Sequence, residues 1–265
     1  MQPTQSLAQE YSAKADVYES RWSPVIKPMA MPILSALPMK TARTVLDAGA
    51  GTGAMFQEIR NATPHATIIG VDPAEGMLRI ARNHAGLEAP VVADGQQLPI
   101  RTGSIDVGLL IFVLFHMPDP IEGLKEMHRV LRHDGRAGIV CWGNDPGVPG
   151  ASIWTEELNR EGAAPDPRDP SVMQPALMNT IDKLRDLVES SGCTAHELWA
   201  ESFSHQFTVE KLLPLQLGCA VAARRLPSLD AEARARCTQR VRERLEKFSE
   251  GELNYRPEVL FAVIS

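Results

Sequence analysis

Residues 44–53 read TVLDAGAGTG, and this stretch decides the fold. A short apolar run ends at Asp47 and Ala48, and three alternate glycines, Gly49, Gly51 and Gly53, follow it. Glycine has no Cβ, so such a segment turns tightly and lets a ligand lie against the backbone. A helix is expected to start near Ala54. Working outward, strand-like runs recur at 67–71 (TIIGV), 91–93, 106–115 (DVGLLIFVLF) and 136–142 (RAGIVCW). The runs starting at 44, 67 and 91 begin about every 24 residues, the repeat of a strand–helix–strand unit, and their unbroken hydrophobicity suits parallel strands covered on both faces. One connecting helix is plainly written. Asp119 caps it, Pro120 and Glu122 open it, Ile121, Leu124, Met127 or His128, and Leu131 form its buried stripe, Arg129, Arg132 and His133 fall in its last turn, and Gly135 ends it.

The second half differs. Residues 144–175 are rich in Gly and Pro and hold one short helix at 153–159. A helix at 181–191, a sixth strand at 197–207 and a helical stretch at 208–226 broken near Pro214 follow. Leu229, Ala233, Cys237, Val241 and Leu245 then mark one helix face, with Gly251 as its stop, before an apolar strand at 259–264. Alternation of strands and helices predicts an α/β, doubly wound parallel sheet in a single domain with additions.

Composition narrows the function. With 44% hydrophobic and 23% charged residues the chain has enough apolar surface to fold, which excludes a disordered protein. No apolar run reaches the ~18 residues of a membrane span, and residues 1–10 lack the order of an export signal. A net charge of −6 does not suit a polyanion partner. The Arg-dense stretch 224–244, interleaved with Glu232 and Glu243, reads as a solvated helix face. Cys141, Cys193, Cys219 and Cys237 have no paired spacing for zinc or redox chemistry and read as buried thiols. The expectation is a cytoplasmic protein, monomer or homodimer, binding a small molecule, with no metal, membrane or nucleic acid.

Asp72 stands 19 residues after Gly53, at the end of the second strand. A carboxylate there accepts hydrogen bonds from both ribose hydroxyls of an adenosine-type cofactor. Gly49 to Ala54 also satisfies the dinucleotide fingerprint, so two cofactors fit the spacing. Charge separates them. A pyrophosphate over the loop would face the Asp47 carboxylate, whereas S-adenosylmethionine brings an ammonium and a sulfonium and no phosphate. Asp94 and Gly95, after the third strand, offer a carboxylate and an amide to an adenine edge.

The ordered set 45–53 (VLDAGAGTG), Val71-Asp72, Ala93-Asp94-Gly95, the strand 105–115 and 129–140 (RVLRHDGRAGIV) resembles the motifs of class I S-adenosylmethionine-dependent methyltransferases, in the small-molecule, ubiquinone-biosynthesis-type branch. The resemblance covers about residues 40–143. It implies a Rossmann-like, doubly wound seven-stranded sheet whose antiparallel last strand, 259–264, lies at the sheet edge. Within one domain, 1–265, the cofactor-binding core is expected at 40–143 and a final strand at 257–265. The second half departs from the family's minimal fold, and segments not needed to build the sheet are expected to cover the acceptor site as an N-terminal helical lid (1–39) and substrate-cap insertions (144–179 and 208–256). Asp47, Gly49, Ala50 and Gly51 would line the methionine end of the donor, under Tyr18. Asp72 and Pro73 would take the ribose, and Met77, Asp94, Gly95 and Phe112 the rest of the donor. S-adenosylhomocysteine would be the product.

Methyl transfer from a sulfonium is an in-line displacement to which an enzyme contributes orientation and dehydration. The acceptor is expected beyond the carboxyl ends of the strands, against Tyr11, Phe115, His116, Trp142 and Trp154. His116 is the only one of the seven histidines at such a strand end and is the candidate base, if one is used. Two alternatives keep the same motifs: a same-fold protein that binds the donor for a reaction other than methyl transfer, and an NAD(P)-dependent oxidoreductase.

Overall fold

The apolar runs become strands in a computed structural model that describes residues 2–265. The strands are β1 (Thr44–Ala48), β2 (Thr67–Asp72), β3 (Ala89–Val92), β4 (Ile105–Ile111), β5 (Leu131–Trp142), β6 (Ala195–Ser202), β7 (His205–Gln206), β8 (Asn254–Tyr255) and β9 (Glu258–Ile264). Seven of them form one sheet in the order β3-β2-β1-β4-β5-β9-β6, while β7 and β8 pair separately. β1 to β5 are parallel, and β9 runs antiparallel to both of its neighbours. The expected edge position of the last strand is therefore corrected: β9 sits one place in, between β5 and β6. It is apolar on both faces, with Val259, Leu260, Phe261, Ala262 and Ile264 all buried, and an edge would leave one row of its backbone groups unpaired.

Several element ends also move, each for a local reason. β4 stops at Ile111 because Phe112 takes φ +52° and turns the chain out of the sheet, so 112–115 is not strand. The helix Pro120–Val130 is capped as expected, Asp119 Oδ1 accepting from the N–H groups of Ile121 and Glu122. It ends earlier, at Val130, because Leu131 already pairs with Ile105; Arg132, His133 and Gly135 lie in the first part of β5, where the register with β4 shifts. The helix after the glycine loop begins at Phe56. The helix Val209–Cys219 runs through Pro214 and breaks at Ala220 instead. The sixth strand divides into β6 and β7. On the helix Ala231–Leu245 the arginines are not merely solvated: Arg236 and Arg240 pair with Glu161, and Arg240 and Arg244 with the buried Glu157 of the helix Ala151–Arg160.

The N-terminal segment has two jobs. The helices Ser23–Ala30 and Pro32–Ala36 cover the sheet, with Val25, Met29 and Ile33 in the main core, and a Cβ at Gly138 of β5 would come within 2.5 Å of Ile33. They are part of the core, not of a lid. The helix Pro3–Ala13 instead rests on the helix Glu75–Ile80, where Gly76 N–H donates to Ser12 Oγ at 3.1 Å. A Cβ at Gly76 would stand 2.5 Å from the Ser12 carbonyl oxygen. Gly76→Ala should therefore lift this helix at a cost of about 1–3 kcal/mol. Limited proteolysis should show roughly tenfold faster cleavage before residue 22 with an otherwise intact core; unchanged protection would show that the contact does not hold the segment. Among the described residues no helix is long and apolar enough to cross a membrane.

Candidate functional site

The glycine loop connects β1 to the next helix at the carboxyl end of the sheet. Its turn is enforced by positive φ at Gly49 (+89°), Gly51 (+53°) and Gly53 (+79°). The two outer glycines also pack: a Cβ on Gly49 would come 2.5 Å from Val113 Cγ2, and one on Gly53 3.1 Å from Ala81. Gly51 differs, since a Cβ there would have nothing within 4 Å. The loop amides are already in use. Gly49 and Ala50 N–H both donate to the Val71 carbonyl, Gly51 N–H to Asp72 Oδ2 at 2.9 Å, and Gly53 N–H to the Ala50 carbonyl. A pyrophosphate would find none of these four amides free.

Two carboxylates flank the loop. Asp47, 6% exposed, is pushed up to about 7 by burial and then by the negative charge of Asp72. Asp72 is pushed up to about 6 by burial, against the stabilising N–H groups of Ala74 and Gly51. Among the described residues no cationic side chain is paired with either. Poorly solvated acids without a cationic partner favour a positively charged guest. The site thus fits a cationic adenosine-type ligand: anionic walls, open space over Gly51, and free lone pairs on Asp72.

A cavity of about 410 Å³ opens over this loop. Gly49, Gly51, Asp72, Pro73, Met77, Tyr18 and Phe112 line it on one side, and Tyr11, Phe115, His116 and Trp142 on the other. Asp47 and Ala50 do not line it; they face a neighbouring cavity of about 50 Å³ that shares Tyr18, Gly49, Gly51, Ile111 and Phe112 with the large one. Tyr11, on the helix Pro3–Ala13, and Tyr18, at the start of the separate helical turn Tyr18–Trp22, meet edge to face at 5.8 Å because the chain bends between them at Lys14. Phe112 stacks on Trp142 at 4.2 Å.

Four expectations change. Trp154 is not in the cavity wall; it is completely buried within the added segments and its Nε1–H donates to Gln216 Oε1. Asp94 and Gly95 lie outside the cavity lining: Asp94 Oδ1 accepts from Gln96 N–H and closes a turn, and the Met117 methyl packs against Gly95. Cys219 is not a core thiol but lines the large cavity. His116 is unsuited to be a base. Its Nδ1 faces the Val172 carbonyl at 2.9 Å and must carry the proton, so Nε2 accepts the Tyr11 hydroxyl hydrogen at 2.9 Å. Burial then lowers the ring to about 4, with the nearby Arg168 charge adding to the shift. Burial pushes the Tyr11 phenol well up, so this pair is a neutral clamp on the N-terminal helix.

The same cavity collects residues that sequence spacing did not single out: Trp22, Asp145, Tyr255, Arg168 and Arg224. Trp22 was findable, four residues beyond Tyr18. Tyr255 comes from β8, donates its hydroxyl to Asp145 Oδ1 at 2.9 Å, and sits 6.2 Å from the ring of Trp22. Nothing in the spacing of residues so far apart announces that meeting.

Residues 46–139 match a family described as a methyltransferase domain. The chain is 36% identical over 103 residues to a ubiquinone/menaquinone biosynthesis C-methyltransferase of Citrifermentans bemidjiense, a match covering 36% of this chain and 44% of that protein. The chain thus spans less than half the length of this curated relative. In fold it is similar to a phosphoethanolamine N-methyltransferase of Haemonchus contortus solved with S-adenosylhomocysteine, with a TM-score of 0.52 at 17% identity, covering 89% of this chain and 52% of that one. It is also similar to the [4+2]-cyclase SpnF, with a TM-score of 0.57 at 15% identity over 90% of this chain and 80% of that one.

Proposed function

We propose, from the match of residues 46–139 to a methyltransferase-domain family, that this protein transfers a methyl group from S-adenosylmethionine to a small organic acceptor with an apolar or aromatic body. The observation that carries the reading is the pair of acids without a cationic partner, Asp47 and Asp72, around a loop in which the amides of Gly49, Ala50, Gly51 and Gly53 already donate within the protein. That arrangement opposes a pyrophosphate and welcomes an ammonium and a sulfonium. Asp72 would receive the ribose hydroxyls, Asp47 would face the ammonium directly or through water, and Gly49, Ala50, Gly51, Pro73, Met77, Tyr18 and Phe112 would enclose the donor.

When bound, the donor supplies a methyl group already activated on sulfur. The chain's residues then have to place the acceptor in line and keep water out. Tyr11, Phe115, Trp142, Trp22 and Tyr255 form the apolar wall for that task, and the segments 2–22, 144–179 and 208–256 form its cover. His116, neutral and with both ring nitrogens engaged, orients Tyr11 and takes no proton from the acceptor.

Calorimetry with S-adenosylhomocysteine and with NAD tests the cofactor: micromolar binding of the first alone is expected, and the reverse would overturn the reading. Incubation with methyl-labelled donor and fractionated cell extract should then label one small product. Donor binding with no S-adenosylhomocysteine formed in any fraction would instead assign the pocket to a reaction other than methyl transfer.

A further inference from the structure

The far end of the large cavity, away from Asp47 and Asp72, carries the opposite charge. Lys14, Arg168 and Arg224 line it together with Glu10. Arg224 is held by its Nε, which donates to Asp166 at 2.8 and 3.1 Å, and its Nη1 lies 3.6 Å from Glu10. Arg168 reaches Asp166 only at 3.3 and 3.4 Å, and Lys14 pairs with Glu10 at 2.9 Å. Three cations thus share two carboxylates. The Arg224 side chain is only 8% exposed, yet among the described residues its Nη2 has no hydrogen bond, and neither has Nη1 of Arg168.

The Arg168 side chain is 21% exposed, both arginines line the cavity, and guanidinium N–H groups open to a cavity offer an incoming anion charge-assisted hydrogen bonds. The residues come from three separate additions: Glu10 and Lys14 from the helix Pro3–Ala13 and its cap, Asp166 and Arg168 from 144–179, and Arg224 from 208–256. A second cavity of about 260 Å³ adjoins the cluster and shares Leu7, Glu10, Lys14, Arg168 and Arg224 with the first. Its remaining acid, Asp169, is exposed and accepts the Ser171 N–H.

Resting on the methyl-transfer reading, we propose that the acceptor bears a carboxylate that seats between Arg168 and Arg224. One excess positive charge matches one carboxylate, and the planar guanidinium forks suit it in a bidentate manner. The cavity's charge gradient then fixes the acceptor's direction. Its anionic group points to the arginines, its apolar body lies along Tyr11, Trp22 and Trp142, and its nucleophilic atom points toward the acidic, donor end.

The test uses 3-phenylpropionate and its neutral amide as probes, with calorimetry on the whole protein at pH 7.5, both with and without S-adenosylhomocysteine. The acid should bind about tenfold or more tightly than the amide. Arg168→Gln and Arg224→Gln should abolish that preference while leaving amide and S-adenosylhomocysteine affinities unchanged, and Arg224→Lys should keep part of it. Equal affinity of acid and amide in the unmodified protein, or binding of neither, overturns the proposal. So does tighter binding of 2-phenylethyl phosphate than of the acid. Loss of S-adenosylhomocysteine affinity in both glutamine variants also overturns it, assigning the arginines to the donor's own carboxylate. Failure of the unmodified protein to bind S-adenosylhomocysteine would sink the methyl-transfer reading alone, since the acid–amide comparison is made without it as well.

Discussion

Asp47→Asn should raise the melting temperature of the ligand-free protein at pH 8 and at the same time weaken S-adenosylhomocysteine binding by about 30-fold or more. The two effects have opposite signs for one reason. Burial raises Asp47 from 3.8 to about 7, so the folded state prefers it protonated. Its favourable contribution is complete below pH 3.8 and is lost as pH rises through 7, leaving a buried, unpaired anion at pH 8. Asparagine removes that anion and should return on the order of 2–4 kcal/mol, the upper figure being three pKa units. The difference in melting temperature between variant and unmodified protein should shrink as pH falls from 8 to 5, where Asp47 is already neutral. The ammonium of S-adenosylhomocysteine reverses the preference, because it needs the ionised carboxylate. Affinity of the unmodified protein should therefore fall as pH drops below 7, while Asp47→Asn should show a flatter profile. Thermal melts and calorimetry over pH 5–8 decide it; a variant that binds the ligand unchanged, or that melts lower at pH 8, removes Asp47 from the role assigned here.

The second large effect separates two glycines two residues apart. Gly51→Ala places a methyl where nothing lies within 4 Å, so its cost to folding is confined to a left-handed residue, about 1–2 kcal/mol. That methyl projects into the space over the loop and should reduce S-adenosylhomocysteine affinity about 100-fold, equivalent to roughly 3 kcal/mol. Gly49→Ala drives a methyl into Val113 at φ +89° and should instead lower stability by about 3 kcal/mol or more. Melting curves and binding isotherms on the pair should therefore move different observables. If Gly51→Ala binds normally, the loop's open face is not where the ligand lies.

Residues 44–53 and Asp72 were legible because their chemistry is local: a strand, a turn that only glycine can follow, and an acid at the next strand's end. Asp94 stands after the third strand as the spacing implies, and its Oδ1 closes an Asx turn with Gln96 N–H, a local role that spacing alone does not reveal. Trp154 was misplaced because an aromatic residue in an insertion looks the same whether it faces a ligand or Gln216. Arg168, Arg224, Asp145 and Tyr255 were out of reach for another reason. They stand on separate insertions and a two-residue strand, and only the packed fold brings them to one cavity. His116 was found by position, yet its basicity is set by Val172 and Tyr11, 56 and 105 residues away.

The interior seat of β9 bears on how the chain assembles during synthesis. β1 to β5 can zip together from neighbouring units as they emerge, but β6 has no partner until residues 258–264 are made and slide in between it and β5. Through that interval two sheet margins stand bare, the side of β5 and the whole of β6, and a nascent or prematurely stopped polypeptide would offer both to other chains. Ribosome stalling before residue 258 should thus yield a sticky half-sheet, and the closing strand acts as the keystone that silences it.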